Sequence, residues 1–337
     1  MFYFLLKLSR RDRPVLRIQS FMIGAAFSLL FLHGCTALAQ NTMPDLISEA
    51  AEEEDLLEID PDWYEEFVAE EEETDESDLT LDELIAKYAA EGDVGEEEIE
   101  YDTIGEDTGD KSLLVAHTGM AGQAAQNSLY AFQLAGQAGY NDIETDVRMT
   151  RDGVLVCYHD ETLADKTGAS GSVESSTWDR LSGLYVRSKH GAQPIAKFEE
   201  YLDTCKAYGC NAVIDLKYSN SYKTMIKLID AMVKERDMQY LAIYQCSIPK
   251  YLQYVKELDP YNRCWLLCGK KTAASSSTYK NAAAMGCEGV NVPVADRSIP
   301  EAAHSYGMIC GFYQTDDDAA QRKLFDMGYD LVMENGR

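Results

Sequence analysis

From residue 113 onward the chain alternates short apolar runs with segments of helical spacing, and this alternation limits what it can fold into. Strand-length runs lie at 113–117, 212–217, 241–246, 264–268, 289–292, 309–313 and 331–333. Helical patterns fall at 128–138, 198–208, 222–235, 250–258, 277–285, 300–306 and 319–327. The stretch 141–160, NDIETDVRMTRDGVLVCYHD, reads as two further short strands split by the turn signal Arg151-Asp152-Gly153. Strands that regularly alternate with helices argue for a parallel sheet with helical crossovers. About eight such strands in about 225 residues fit one α/β domain, a (β/α)8 TIM barrel, better than two domains.

That architecture directs attention to the C-terminal ends of the strands, where barrels of this kind gather their chemistry. His117, Glu144, Asp146, His159, Asp215 and Lys217 all fall at or near such ends. Residues two apart on a strand share a face, so Glu144 projects with Asp146 and Asp215 with Lys217. Paired carboxylates beside a histidine suit the holding of a divalent cation and the movement of protons. A half-buried strand with solvated acids would account for one such pair; six ionisable groups at strand ends are harder to assign to chance.

The formal net charge of −28 belongs to one segment. Residues 41–110 hold 30 Asp or Glu and a single basic residue, Lys87, which leaves 28 acidic and 29 basic residues elsewhere. A run this acidic is expected as a solvated spacer. Within it Leu81, Leu84, Ile85 and Tyr88 have the spacing of one face of a short helix, marginal in isolation. The near-neutral remainder gives no reason to expect nucleic-acid binding. Ahead of the acidic run, Lys7, Arg10, Arg11, Arg13 and Arg17 precede an apolar core at 21–32, and Ala37-Leu38-Ala39 offers a cleavage site before Gln40. The expected organisation is a signal peptide or signal anchor at 1–39, an acidic disordered linker at 40–111 and the barrel at 112–337. It places the protein outside the cytoplasm, secreted or associated with the cell envelope, with membrane contact only through the N-terminal segment. Of the nine cysteines, eight lie in the barrel. They form no Cys-x-x-Cys pair, which argues against structural zinc, and are expected as buried free thiols.

Several motifs, in order and at matching spacing, resemble the glycerophosphodiester phosphodiesterase family. They are His117-Thr118-Gly119, Gln126-Asn127-Ser128, Ile143-Glu144-Thr145-Asp146-Val147, Thr150-Arg151-Asp152-Gly153, Val156-Cys157-Tyr158-His159-Asp160, the segments at 168–173 and 194–202, and Ile214-Asp215-Leu216-Lys217. The resemblance covers about residues 112–337 and is more specific in its first half. It implies a TIM barrel of the phospholipase C-like type that hydrolyses a small-molecule glycerophosphodiester, from a deacylated phospholipid or an envelope polymer. His117 and His159 would be its general acid and base. Glu144, Asp146 and Asp215 would hold one Ca2+ or Mg2+, and Lys217 would face the phosphate. The attacking group in the family is water or a neighbouring glycerol hydroxyl.

The chain also departs from the family. Thr118 stands where an arginine is usual, Gln126 where a glutamate is usual, Phe312 in place of tryptophan and Thr315 in place of asparagine. Asp215 replaces the more common glutamate and remains a usable ligand. Thr118, Gln126 and Phe312 are therefore expected at the substrate, with altered chemistry. The departures leave a second reading open, a barrel that binds a polyol phosphate or a protein partner without turnover. Elsewhere, His190 reads as an exposed loop residue and His304 as an ordinary helical one. Trp265, Tyr244 and Tyr313 could shape a pocket but read equally well as core.

Overall fold

The computed structural model describes residues 113–336; the segments expected at 1–39 and 40–111, with their export signal and amphipathic turn, lie outside the described residues. Strands β1 (Leu114–Ala116) and β2 (Asp142–Met149) begin the barrel. Strand β3 (Leu155–Cys157) folds back antiparallel on β2, and β4 (Tyr185–Ser188) with β5 (Gly191–Pro194) forms a separate hairpin. Strands β6 (Asn211–Leu216), β7 (Ala242–Cys246), β8 (Arg263–Leu267), β9 (Gly289–Val292), β10 (Ile309–Phe312) and β11 (Leu331–Glu334) complete it. Parallel pairing runs β1-β2-β6-β7-β8-β9-β10-β11 and back to β1, so eight strands close into the expected barrel. One expectation changes: His159 follows the antiparallel β3, not a barrel strand.

The crossovers start and stop where local chemistry directs. The Ser128 hydroxyl accepts from the Ala131 amide at 3.2 Å and opens helix Leu129–Gln137. A left-handed Gly209 ends helix Phe198–Tyr208, and Pro249 occupies the first turn of Pro249–Leu258. The pleat then sorts side chains into two cores. Ile143, Val147, Ile214, Leu216, Leu266 and Val292 face outward into the layer under the helices, with Phe198, Leu202, Ile226 and Leu252. Val115, Val213, Ile243, Trp265 and Met333 face inward and fill the barrel. Each such side chain stabilises the fold by about 1.5–3 kcal/mol when fully buried. All eight cysteines among the described residues are buried free thiols, as expected.

Residues 159–197 form an insertion with its own small core, in which Leu163, Val173, Leu181, Val186 and Ile195 pack with Val156 and Tyr158. Glu174 fastens it to the segment after β6, accepting from the Ser219 hydroxyl at 2.9 Å and the Asn220 amide at 3.1 Å.

The turn after β1 depends on Gly119, at φ +77°. A Cβ there would stand 2.7 Å from the Ala131 carbonyl carbon. Gly119→Ala is expected to cost about 1–3 kcal/mol from left-handed strain and contact with that helix, read as a lower urea midpoint at unchanged slope.

Candidate active site

Register brings the acids together. Asp146 on β2 pairs with Asp215 on β6, and Glu144 lies two residues earlier on the same face. Oxygens of Glu144, Asp146 and Asp215 lie within 4.8 Å of one another, and all three residues are buried. Continuing the β1–β2 register by one residue brings His117 level with Glu144.

Left-handed backbone orients two more groups. Thr118 has φ +51° and donates its amide to Glu144 Oε2 at 2.7 Å. Asn127, at φ +55°, donates Nδ2 to Asp146 Oδ2 at 2.5 Å and accepts through Oδ1 from the Thr145 hydroxyl and the Asp146 amide. Asn127 is thus the member of Gln126-Asn127-Ser128 that meets the acids. Its signal was its place in that motif. Gln126 is half-buried, with no hydrogen bond to the acids among the described residues.

Lys217 lies inside the cluster, its Nζ 2.8 Å from Asp215 and 3.0 Å from Asp146. One ammonium against three carboxylates leaves the cluster negative, and the side chains respond. Burial, then Asp146 and Asp215, push the Glu144 carboxyl well above its ordinary value. Burial would raise Asp146 too, but Lys217, both histidines and the Asn127 amide hold it well below the usual carboxylate range. Three converging hard oxygen donors with surplus negative charge fit a divalent cation.

The histidines are held differently. His117 Nδ1 lies 3.1 Å from Asn335 Oδ1. Asn335 donates Nδ2 to Asp316 at 3.1 Å and its backbone amide to the same carboxylate at 2.6 Å. Because the Asn335 amino group faces a carboxylate, its oxygen faces the imidazole and accepts the Nδ1 proton, which leaves the lone pair on Nε2. Burial lowers the His117 pKa, against the opposing pull of Asp146. His159 is exposed, and its Nδ1 sits 2.7 Å from Asp160 Oδ1. Asp160 is held below its ordinary value chiefly by that contact. Arg148, next after Asp146 on the same face of β2, donates Nε to the His159 carbonyl at 2.8 Å and Nη1 to the Tyr218 carbonyl at 3.4 Å. Asn335 and Arg148 carried no motif signal.

Phe312 corrects an expectation. It faces the helices, fully buried, edge-on to Tyr329 at 5.9 Å, so it does not line the barrel mouth. The inward residue is its neighbour Tyr313, whose hydroxyl donates to the Cys268 carbonyl at 2.5 Å. Trp265 faces the lumen, whereas Tyr244 faces outward and donates to Asp230. His190 lies in the exposed β4–β5 turn and His304 pairs with Asp330; neither joins the site.

The family model described as "Glycerophosphoryl diester phosphodiesterase family" matches residues 117–335. "Probable glycerophosphodiester phosphodiesterase 2" of Mycobacterium tuberculosis is 35% identical over 120 residues, 35% of this chain and 43% of that protein. "Glycerophosphodiester phosphodiesterase" of Caldanaerobacter subterraneus is 37% identical over 170 residues, 47% of this chain and 68% of that protein. An Oleispira antarctica phosphodiesterase, solved with the product sn-glycerol-3-phosphate, superposes with a TM-score of 0.61 at 23% identity, covering 66% of this chain and 92% of that one. A glycerophosphodiester phosphodiesterase from Agrobacterium tumefaciens superposes with a TM-score of 0.57 at 24% identity, covering 67% and 97%. At these identities the superpositions speak for the fold.

Proposed function

This chain belongs to the glycerophosphoryl diester phosphodiesterase family, and on that footing we propose that it hydrolyses a glycerophosphodiester to an alcohol and sn-glycerol 3-phosphate. The substrate is a deacylated phospholipid or a glycerol-phosphate polymer of a cell envelope. The observation that carries this reading is the convergence of Glu144, Asp146 and Asp215 in a buried cluster that interacts electrostatically with both histidines through Asp146.

In this reading Glu144, Asp146 and Asp215 hold one Ca2+ or Mg2+, and Lys217 balances the excess charge of the last two. When bound, the ion supplies charge neutralisation at the diester oxygens. His117, with Nε2 basic, takes the proton of the attacking oxygen as that oxygen bonds to phosphorus. Water gives sn-glycerol 3-phosphate directly, whereas a neighbouring glycerol hydroxyl gives a cyclic phosphodiester that a water molecule then opens to the monoester. The phosphorus–oxygen bond to the alcohol breaks, and His159 Nε2 donates a proton to the departing oxygen. Asp160 engages His159 Nδ1 at 2.7 Å, which leaves Nε2 for the acid role; burial of His117 suits the base. Thr118 contributes its amide, through Glu144.

The test is turnover of glycerophosphocholine and glycerophosphoethanolamine by the purified protein, with Ca2+ or Mg2+ and with EDTA. Turnover that EDTA abolishes and metal restores supports the enzyme. Thr118 in place of an arginine favours the rival, binding without turnover, and that reading prevails if metal-loaded protein binds sn-glycerol 3-phosphate yet hydrolyses no diester. We further propose an extracytoplasmic location through the N-terminal segment, testable by N-terminal sequencing of the exported chain.

Asn335 acts through His117 as a positioning residue. Asn335→Ala is expected to lower kcat on the order of 10-fold with little change in KM, because the ring loses the partner that sets its tautomer. A fall in stability with kcat unchanged would reduce Asn335 to a structural role.

A further inference from the structure

We propose that Arg148 is the phosphate-binding guanidinium of this barrel, doing from β2 what an arginine at position 118 would do; the inference rests on the phosphodiesterase reading above. Three observations carry it.

The first is placement. Glu144, Asp146 and Arg148 occupy alternate positions of one unbroken strand, so all three project to the same face. Arg148 lies about 6.6 Å further along the strand than Asp146, at two residues of rise, towards the C-terminal mouth. A phosphate resting on a cation among the three carboxylates would extend in that direction.

The second is how the guanidinium is held. Its Nε–H is fixed on the His159 carbonyl and its Nη1 on the Tyr218 carbonyl, one in the segment that carries His159 and the other in the segment that follows Lys217. The group therefore spans the mouth between two walls of the site. Asp146 and Asp215 both act on it electrostatically, as do Asp160 and Glu161. Its Nη2 has no hydrogen-bond partner among the described residues, and the residue is partly exposed. A guanidinium held through Nε and Nη1 keeps its Nη2 N–H donors for a phosphate oxygen, with little side-chain entropy left to lose.

The third is what the neighbouring cation is doing. Lys217 is engaged by Asp146 and Asp215 at 3.0 and 2.8 Å, and the Thr118 side chain is buried. Arg148 thereby supplies, on the strand that bears two of the three carboxylates, a positive group directed at the mouth. Its contacts with the two carbonyls also tie the walls together.

The test is calorimetric titration of the full-length, Mg2+- or Ca2+-loaded protein with sn-glycerol 3-phosphate and with inorganic phosphate, beside a separate metal titration. Arg148→Gln should weaken both anions by about 10-fold or more, the loss expected for a charge-assisted hydrogen bond, while metal affinity does not weaken. Arg148→Lys, which keeps charge but loses the fork, should weaken them several-fold. It stands as the deciding variant if Arg148→Gln does not fold. Anion affinities within twofold of wild type in the folded variant overturn the assignment and leave Arg148 a clamp. If wild type binds metal but neither anion, the phosphodiesterase reading falls along with this one; if only the variants behave like wild type, this assignment falls alone.

Discussion

Asp146→Asn should reduce kcat/KM for a glycerophosphodiester by about 10³-fold, corresponding to the several kcal/mol that a catalytic metal contributes. Asp146 is the hub of the site. Its carboxylate accepts from Asn127, pairs with Lys217, lies level with Asp215 and carries much of the negative charge that both histidines feel. Asparagine preserves the shape but removes the charge, so the loss is one of ligation and not of packing. Its amide would also set an N–H donor against that of Asn127 unless one of them turned. The matching measurement is metal affinity by calorimetry, expected to fall together with activity. Near-normal turnover together with near-normal metal binding in this variant would remove the carboxylate cluster from the mechanism.

His117→Ala should lower kcat by about 10²–10⁴-fold, the range for loss of a positioned general base. The fold should survive, because the tie from residue 117 to β11 is its backbone amide on the Glu334 carbonyl at 2.8 Å. The pH profile gives the sharper readout. A base must be unprotonated to act, so kcat/KM falls as pH drops through its pKa. Burial lowers that pKa in His117, which places the acidic limb below the ordinary imidazole value. In His117→Ala that limb should disappear from whatever activity remains. A limb that persists unchanged would belong to another group and would take the base role from His117.

Much of this was legible in the linear text, because the signals are local. Two helices occupy the residues their spacing predicts, Phe198–Tyr208 and Tyr222–Glu235, since amphipathic periodicity depends on near neighbours alone. The pairing of Glu144 with Asp146 and of Asp215 with Lys217 followed from strand parity. The place of Phe312 in the family pattern does not say which parity of β10 faces the barrel: Phe312 faces the helices and Tyr313 faces in. The turn Arg151-Asp152-Gly153 returns β3 antiparallel on β2, which takes that run, and His159 after it, out of the set of parallel barrel strands.

By itself the sequence determined the barrel, the order of its strands and the residue types at their C-terminal ends, because alternation and turn chemistry act over a few residues. The tertiary structure decided which of those residues meet. Closure of β11 against β1 brings Asn335 and Asp316 to His117, although Asn335 is 218 positions away from that histidine. Left-handed backbone at Thr118 and Asn127 aims an amide and a side chain at the acids. The β2–β6 register sets Lys217 among carboxylates and Arg148 at the mouth. Contacts between groups so distant along the chain follow from closure and register, which local residue patterns do not encode one residue at a time.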